Sequence, residues 1–220
     1  SYEIPLAICG LIPIVIVGSL DLNEIIRAQS GGFWHWTVFN PICGIAFVLY
    51  FTCATASCKR APFDLAEAES ELVAGFLTEY SGMRWSFFFL AEYATMYLVS
   101  AVAAILFLGG WNDGFGIVDG IKSVGVVEAK FLSEFLGNVV GLAVLGLKAS
   151  VLVFLQIWVR WTLPRLRIDQ VMTTCLKYLL PMSFALFLVA VLYPLLLSAP
   201  DRNGNGRPQL FGQPVGAKLV

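Results

Sequence analysis

Arg60-Ala-Pro-Phe-Asp-Leu-Ala-Glu-Ala-Glu-Ser-Glu-Leu72 is the stretch on which the reading of this chain turns. Continued through Glu79 to Glu92, it holds six of the fifteen acidic residues in a chain that is 58% hydrophobic and only 13% charged. Carboxylates are costly beside apolar runs because the charged form loses its hydration. A purely passive role for so dense a group is therefore a weak assumption. Pro62 followed by Asp64 and Glu67 has the D-x-x-E spacing of a capping box at a helix start. At about 100° per residue, Asp64, Glu67 and Glu71 fall on one face while Glu69 stands apart. Capping explains two of these acids and leaves the third, on the same face, unexplained. Like charges so placed raise one another's proton affinity where the face is desolvated. Arg60, just upstream, is a candidate counter-charge.

The sequence around this stretch is that of a membrane protein. A mean hydropathy of +0.79 lies far above the globular norm. Runs apolar enough to cross a bilayer, about 20 residues each, fall near 4–20, 37–57, 85–108, 135–158 and 178–198. All six tryptophans (Trp34, Trp36, Trp85, Trp111, Trp158, Trp161) lie at or just beyond the ends of these runs, as an interfacial aromatic belt requires. The fold class predicted is all-α: a polytopic membrane helix bundle of about five transmembrane helices, with a short acidic helix between the second and third. The loops 58–84 and 159–177 carry seven Lys and Arg between them, against three (Arg27, Lys122, Lys130) in the loops opposite. Positive charge marks the inner side. Both the acidic loop 58–84 and the basic loop 159–177 are thereby assigned to the cytoplasm, or to a matrix if the source is an organelle. The polar tail 200–220 lies outside. The chain starts at Ser1 and runs straight into apolar sequence, which reads as a fragment lacking upstream helices.

Several classes are excluded. No basic tract suggests nucleic acid. The five cysteines form no CxxC pair and no even-numbered framework, which argues against disulfides and a thiolate metal site. The single histidine, His35, rules out a bis-histidine haem within the chain and reads as an interfacial residue. Any redox centre sits on a partner or is a diffusible substrate.

Glu92 lies inside the apolar run behind Phe87, Phe88, Phe89 and Leu90. An ionised side chain there costs upward of about 2.5 kcal/mol, so residues of this kind are rarely passive. Lys148, inside the run 135–158, meets the same objection. Depth counting allows a Glu92–Lys148 interaction, either as a structural ion pair or as part of a proton-handling site. Glu3, before Pro5, reads as a helix-start acid favoured by the macrodipole. Arg160, Arg165 and Arg167 read as a positive-inside anchor and as counter-charges for the other loop.

Taken together, these segments resemble the membrane H-subunit (ND1) family of respiratory complex I, the proton-translocating NADH:quinone oxidoreductase. The resemblance rests on the Arg60–Leu72 motif, Glu79-Tyr80-Ser-Gly-Met, Phe88-Phe-Leu-Ala-Glu92-Tyr93 and Phe107-Leu-Gly-Gly-Trp111. Ser1-Tyr2-Glu3 and the stretch from Trp158-Val-Arg160 through Pro164-Arg-Leu-Arg-Ile-Asp169-Gln170-Val-Met172 extend it. It implies a quinone chamber formed with Arg60, Phe63, Asp64, Glu67, Arg160 and Arg165. It also implies a proton path through Glu3, Asp64, Glu67, Glu69, Glu71, Glu79, Glu92 and Lys148. The cofactors it implies, FMN and iron–sulfur clusters, belong to partner subunits. This chain would bind none of its own and would meet quinone as a substrate. The partners implied are peripheral quinone-site subunits and antiporter-like membrane subunits in a bacterial or mitochondrial inner membrane. The chain departs from the pattern at Ser57, where many relatives carry a glutamate. Two other classes share features of this reading: a sister subunit of membrane-bound hydrogenases, and a self-contained ion transporter.

Overall fold

The apolar runs become helices whose ends are marked by local chemistry. In the computed structural model, residues 1–64, 79–114, 116, 118, 130–197, 209–210 and 213–214 are described. Helix α1 spans Glu3–Val17, with Pro5 in its first turn, where a missing N–H costs nothing. It stops at Gly18, whose left-handed backbone (φ 77°) lets its N–H donate to the Ile14 carbonyl at 2.8 Å. Helix α2, Leu22–Ala28, follows after a 64° bend and is capped by the Asp21 carboxylate, which accepts from the Asn23 N–H at 3.0 Å. Two short 3-10 turns, Phe33–His35 and Thr37–Phe39, lead to α3, Pro41–Ser57. Asn40 caps α3 and Pro41 opens it.

Helix α4 spans Met83–Phe107 and α5 spans Lys130–Thr162. Helix α6, Ile168–Thr173, passes through a π-helical turn, Thr174–Leu179, into α7, Leu180–Leu197. In the tail, Gln209–Leu210 pairs antiparallel with Gln213–Pro214. The fold is otherwise helical among the described residues.

Among the described residues, three helical stretches are long and apolar enough to cross a membrane: Met83–Phe107, Phe135–Thr162 and Ile168–Tyr193. The bent pair α1–α2 raises the number to as many as four. These helices make the chain an integral membrane protein. Five was the expectation. Helix α3, with 17 residues, rises only about 25 Å against a hydrocarbon core of about 30 Å. The acidic helix expected between the second and third spans lies outside the described residues.

The core forms where α1, α3 and α7 pack, around Cys9, Ile12, Ile16, Ala46, Cys53 and Ala190. Small side chains there let the backbones approach closely, as helix pairs in membranes require. Outward-facing apolar side chains on α4 and α5, such as Leu98, Leu142 and Phe154, are exposed as for a lipid-facing surface.

The chain direction sorts the bundle into two ends. At one end, the segment 18–40 meets the close of α4. The buried Gln29 amide donates to the Leu106 and Ile105 carbonyls, and the Asn112 amide donates to the Ile26 carbonyl at 2.8 Å. At the other end lie the start of α1, the turn after α3, the first half of α4 and the strap joining α5 to α6. The close of α4 is tight. At Gly110 the backbone is left-handed (φ +54°), and an added Cβ would sit 2.8 Å from Ile26 Cδ1. Gly110→Ala is expected to destabilise by upward of about 1 kcal/mol, since strain and crowding act together. An unchanged unfolding midpoint in detergent would contradict this.

Candidate functional site

Turn 58–64 is fixed by its own backbone before any side chain acts. The Arg60 N–H donates to the Thr55 carbonyl at 3.3 Å, and the Phe63 N–H to the Arg60 carbonyl at 2.9 Å. The turn is then tied to the strap 163–167, because the Leu166 N–H donates to the Pro62 carbonyl at 3.0 Å. The acidic and basic loops thus touch where each begins. Phe63 is buried in this junction, and Asp64 is half-buried at its edge.

The junction turns the Arg60 side chain inward, where only 7% of the residue stays exposed. Its Nε lies 2.9 Å from Glu92 Oε1, with side-chain exposures of 8% and 14%. The guanidinium also stacks over the Tyr93 ring at 4.6 Å. Behind Tyr93, an aromatic ladder at four-residue spacing runs back along α4. Phe89 and Tyr93 have ring centroids 4.6 Å apart, and Trp85 stacks on Phe89 at 5.2 Å. A pair so shielded from water feels a field far stronger than a surface pair. The site can hold a charge and respond to a new one nearby.

Cys58 borders this pair and is 2% exposed. Burial pushes its thiol up to about 11; the Arg60 charge lowers it by less, and the Glu92 charge raises it. At pH 7 only about one thiol in ten thousand is ionised at such a pKa. Maleimide labelling of native membranes is therefore expected to leave Cys58 unmodified until the protein is unfolded. Rapid native labelling would contradict this packing.

The structure rules out one pairing that depth counting allowed. Glu92 and Lys148 do not meet: Glu92 is with Arg60, while Lys148 reaches the opposite end of α4. Its Nζ donates to the Leu108 carbonyl at 2.7 Å, to the Gly110 carbonyl at 3.1 Å, and to the Asn112 carbonyl. It also lies 4.3 Å above the Trp36 ring. The ending helix supplies the reason. The carbonyls at and just past its end have no intrahelical donor and lie at the negative end of the macrodipole, which the half-buried Lys148 ammonium satisfies. From Glu92 to Leu108 the helix rises about 24 Å at 1.5 Å per residue. Arg60, a candidate counter-charge for the acidic face, pairs with Glu92 among the described residues.

Four other predicted residues are described. Glu3 is exposed at the first residue of α1, and Glu79 is exposed before α4. Arg160 is half-buried in the last turn of α5, and Arg165 is half-buried in the strap beside Leu166. Glu67, Glu69 and Glu71 lie outside the described residues, and so does their common face. Tyr93 and Cys58 were not anticipated. The i, i+4 aromatic spacing Trp85–Phe89–Tyr93 was the available signal for the first. Nothing in the sequence marked Cys58. No group of three or more metal-ligating side chains is found among the described residues.

This junction falls within a recognised family pattern, because the family model described as NADH dehydrogenase matches residues 1–191. The chain belongs to the NADH dehydrogenase family. The NADH dehydrogenase match takes in α1 to α6 and most of α7, and so the whole Arg60–Glu92 junction. The chain is 44% identical over 196 residues to the NADH-quinone oxidoreductase H subunit of Chlorobaculum tepidum, covering 88% of this chain and 52% of that protein. It is 45% identical over 193 residues to the NADH-quinone oxidoreductase H-subunit 2 of Koribacter versatilis, covering 88% and 51%. The corresponding H subunit of Bacteroides fragilis is 42% identical over 193 residues, covering 87% and 51%. The chain spans about half the length of these curated relatives.

Proposed function

We propose that this chain is part of the membrane H subunit of an NADH:quinone oxidoreductase, where it couples quinone reduction to proton translocation. The observation that carries the reading is the buried Arg60–Glu92 pair, set where the acidic and basic loops join. In this reading the chain crosses an inner membrane five times, counting α1 and α3 as short spans. The loops 58–84 and 159–177 face the cytoplasm. Arg60, Phe63, Asp64, Glu67, Arg160 and Arg165 border the quinone chamber together with peripheral subunits. FMN and iron–sulfur clusters on those partners would supply the electrons, two of which with two protons convert the quinone to quinol.

The geometry suggests how the charge is passed on. Negative charge arising near Arg60 during reduction competes with Glu92 for the guanidinium. A desolvated carboxylate whose counter-charge is drawn away gains proton affinity. Glu92 then takes up a proton, and Glu3, Asp64, Glu67, Glu69, Glu71 and Glu79 complete the run of acids toward the antiporter-like subunits. Lys148 serves in this scheme as a fixed charge closing α4, since its ammonium is engaged by three carbonyls.

Glu92→Gln in the whole complex tests the proposal. Glutamine keeps the shape and removes the titratable group. Proton pumping per NADH oxidised is expected to fall at least tenfold in reconstituted vesicles. Wild-type turnover with wild-type coupling would remove Glu92 from the mechanism.

A further inference from the structure

Between α4 and α5 lies a polar pair that the coupling scheme does not use. Gln156 is 2% exposed and Ser100 1% exposed, both inside membrane-spanning stretches. The Ser100 hydroxyl donates to the Met96 carbonyl at 2.8 Å, which commits its only proton. Its oxygen is left as an acceptor, and Gln156 Nε2 donates to it at 3.4 Å. This fixes the amide orientation: turned over, two acceptors would face each other. Gln156 Oε1 is therefore the end of the amide not bonded to Ser100, fully buried and without a hydrogen-bond donor among the described residues. A carbonyl held so inside an apolar bundle calls for a small neutral donor.

We propose that Gln156 and Ser100 form a buried water-binding site between α4 and α5. One water donates to Gln156 Oε1 and uses its second proton or its lone pairs on the remaining capacity of Ser100 Oγ and Gln156 Nε2. Two or more such partners are what a buried water normally has. A hard cation is a poor fit, because it requires about six oxygen ligands and the pair presents two. The water links the helices through groups that otherwise meet only in one long hydrogen bond. Glu92, Met96 and Ser100 follow one another at four-residue spacing, so the site lies on the Glu92 face of α4, about 12 Å further along the helix. Buried Met96 stands between them.

The site is independent of the role assigned to Glu92, because its test reads solvent and not turnover. In a map of the wild-type complex that resolves buried waters, a peak is expected within about 3.2 Å of Gln156 Oε1. In Gln156→Leu, which keeps similar volume without polar atoms, the peak disappears while α4 and α5 stay packed. A dry contact at Oε1, or an Oε1 taken by a protein donor, would overturn the proposal. If Gln156→Leu fails to assemble, the wild-type map alone decides.

Discussion

Replacing Arg60 with alanine is expected to lower stability by about 3–5 kcal/mol, the range for removing one partner of a buried ion pair. Both side chains are shielded, at 8% and 14% exposure, so water replaces little of what is lost. The substitution takes away the charge 2.9 Å from Glu92 Oε1 and the planar group stacked on Tyr93. It leaves the backbone bonds of turn 58–64 in place. Arg60→Lys should recover only part of the loss, because an ammonium is a point charge without a face to stack. Thermal unfolding in detergent measures both variants. A loss below about 1 kcal/mol would class the pair with exposed salt bridges and remove the basis for its functional reading.

The second large effect belongs to Lys148. Its ammonium serves the Leu108, Gly110 and Asn112 carbonyls at once, and each bond to a charged donor is worth about 1.5–3 kcal/mol when it is not shared. Shared bonds do not add, so Lys148→Met is expected to cost about 3 kcal/mol in total. The loss should appear locally as faster amide exchange from Leu108 to Asn112, because the closing turn of α4 loses its anchor. Pumping per electron should persist in the complexes that assemble. Lost coupling with unchanged stability would instead place Lys148 on the proton path.

These two residues show what was legible in the sequence and what was not. That Glu92 and Lys148 are anomalous follows from the cost of a charge in an apolar run, and both are indeed held by specific partners. Their partners could not be read, because depth counting compares positions along the membrane normal and ignores where a helix stops. Helix α4 stops at Gly109-Gly110, and the carbonyls exposed there attract the nearest cation. Local signals read well: Asn40-Pro41 opens α3, and Gly18 closes α1. The number of spans read less well. Hydropathy alone counts α1 and α3 as full crossings, whereas Gly18 and the bend to α2 shorten the first, and Asn40 and Cys58 bound the second. The meeting of the two loops at Pro62 and Leu166 left no mark in the sequence, since a backbone hydrogen bond has no side-chain signature.

That bond also bears on how the protein is made. Pro62 and Leu166 are joined only after α4 and α5 have both been synthesised and inserted. Until then, the turn that aims Arg60 lacks its tie to the strap, and closing so long a segment is entropically slow. Final positioning of turn 58–64 is therefore a late event in biogenesis, and a chain arrested before Leu166 would carry Arg60 without the tie that helps to aim it.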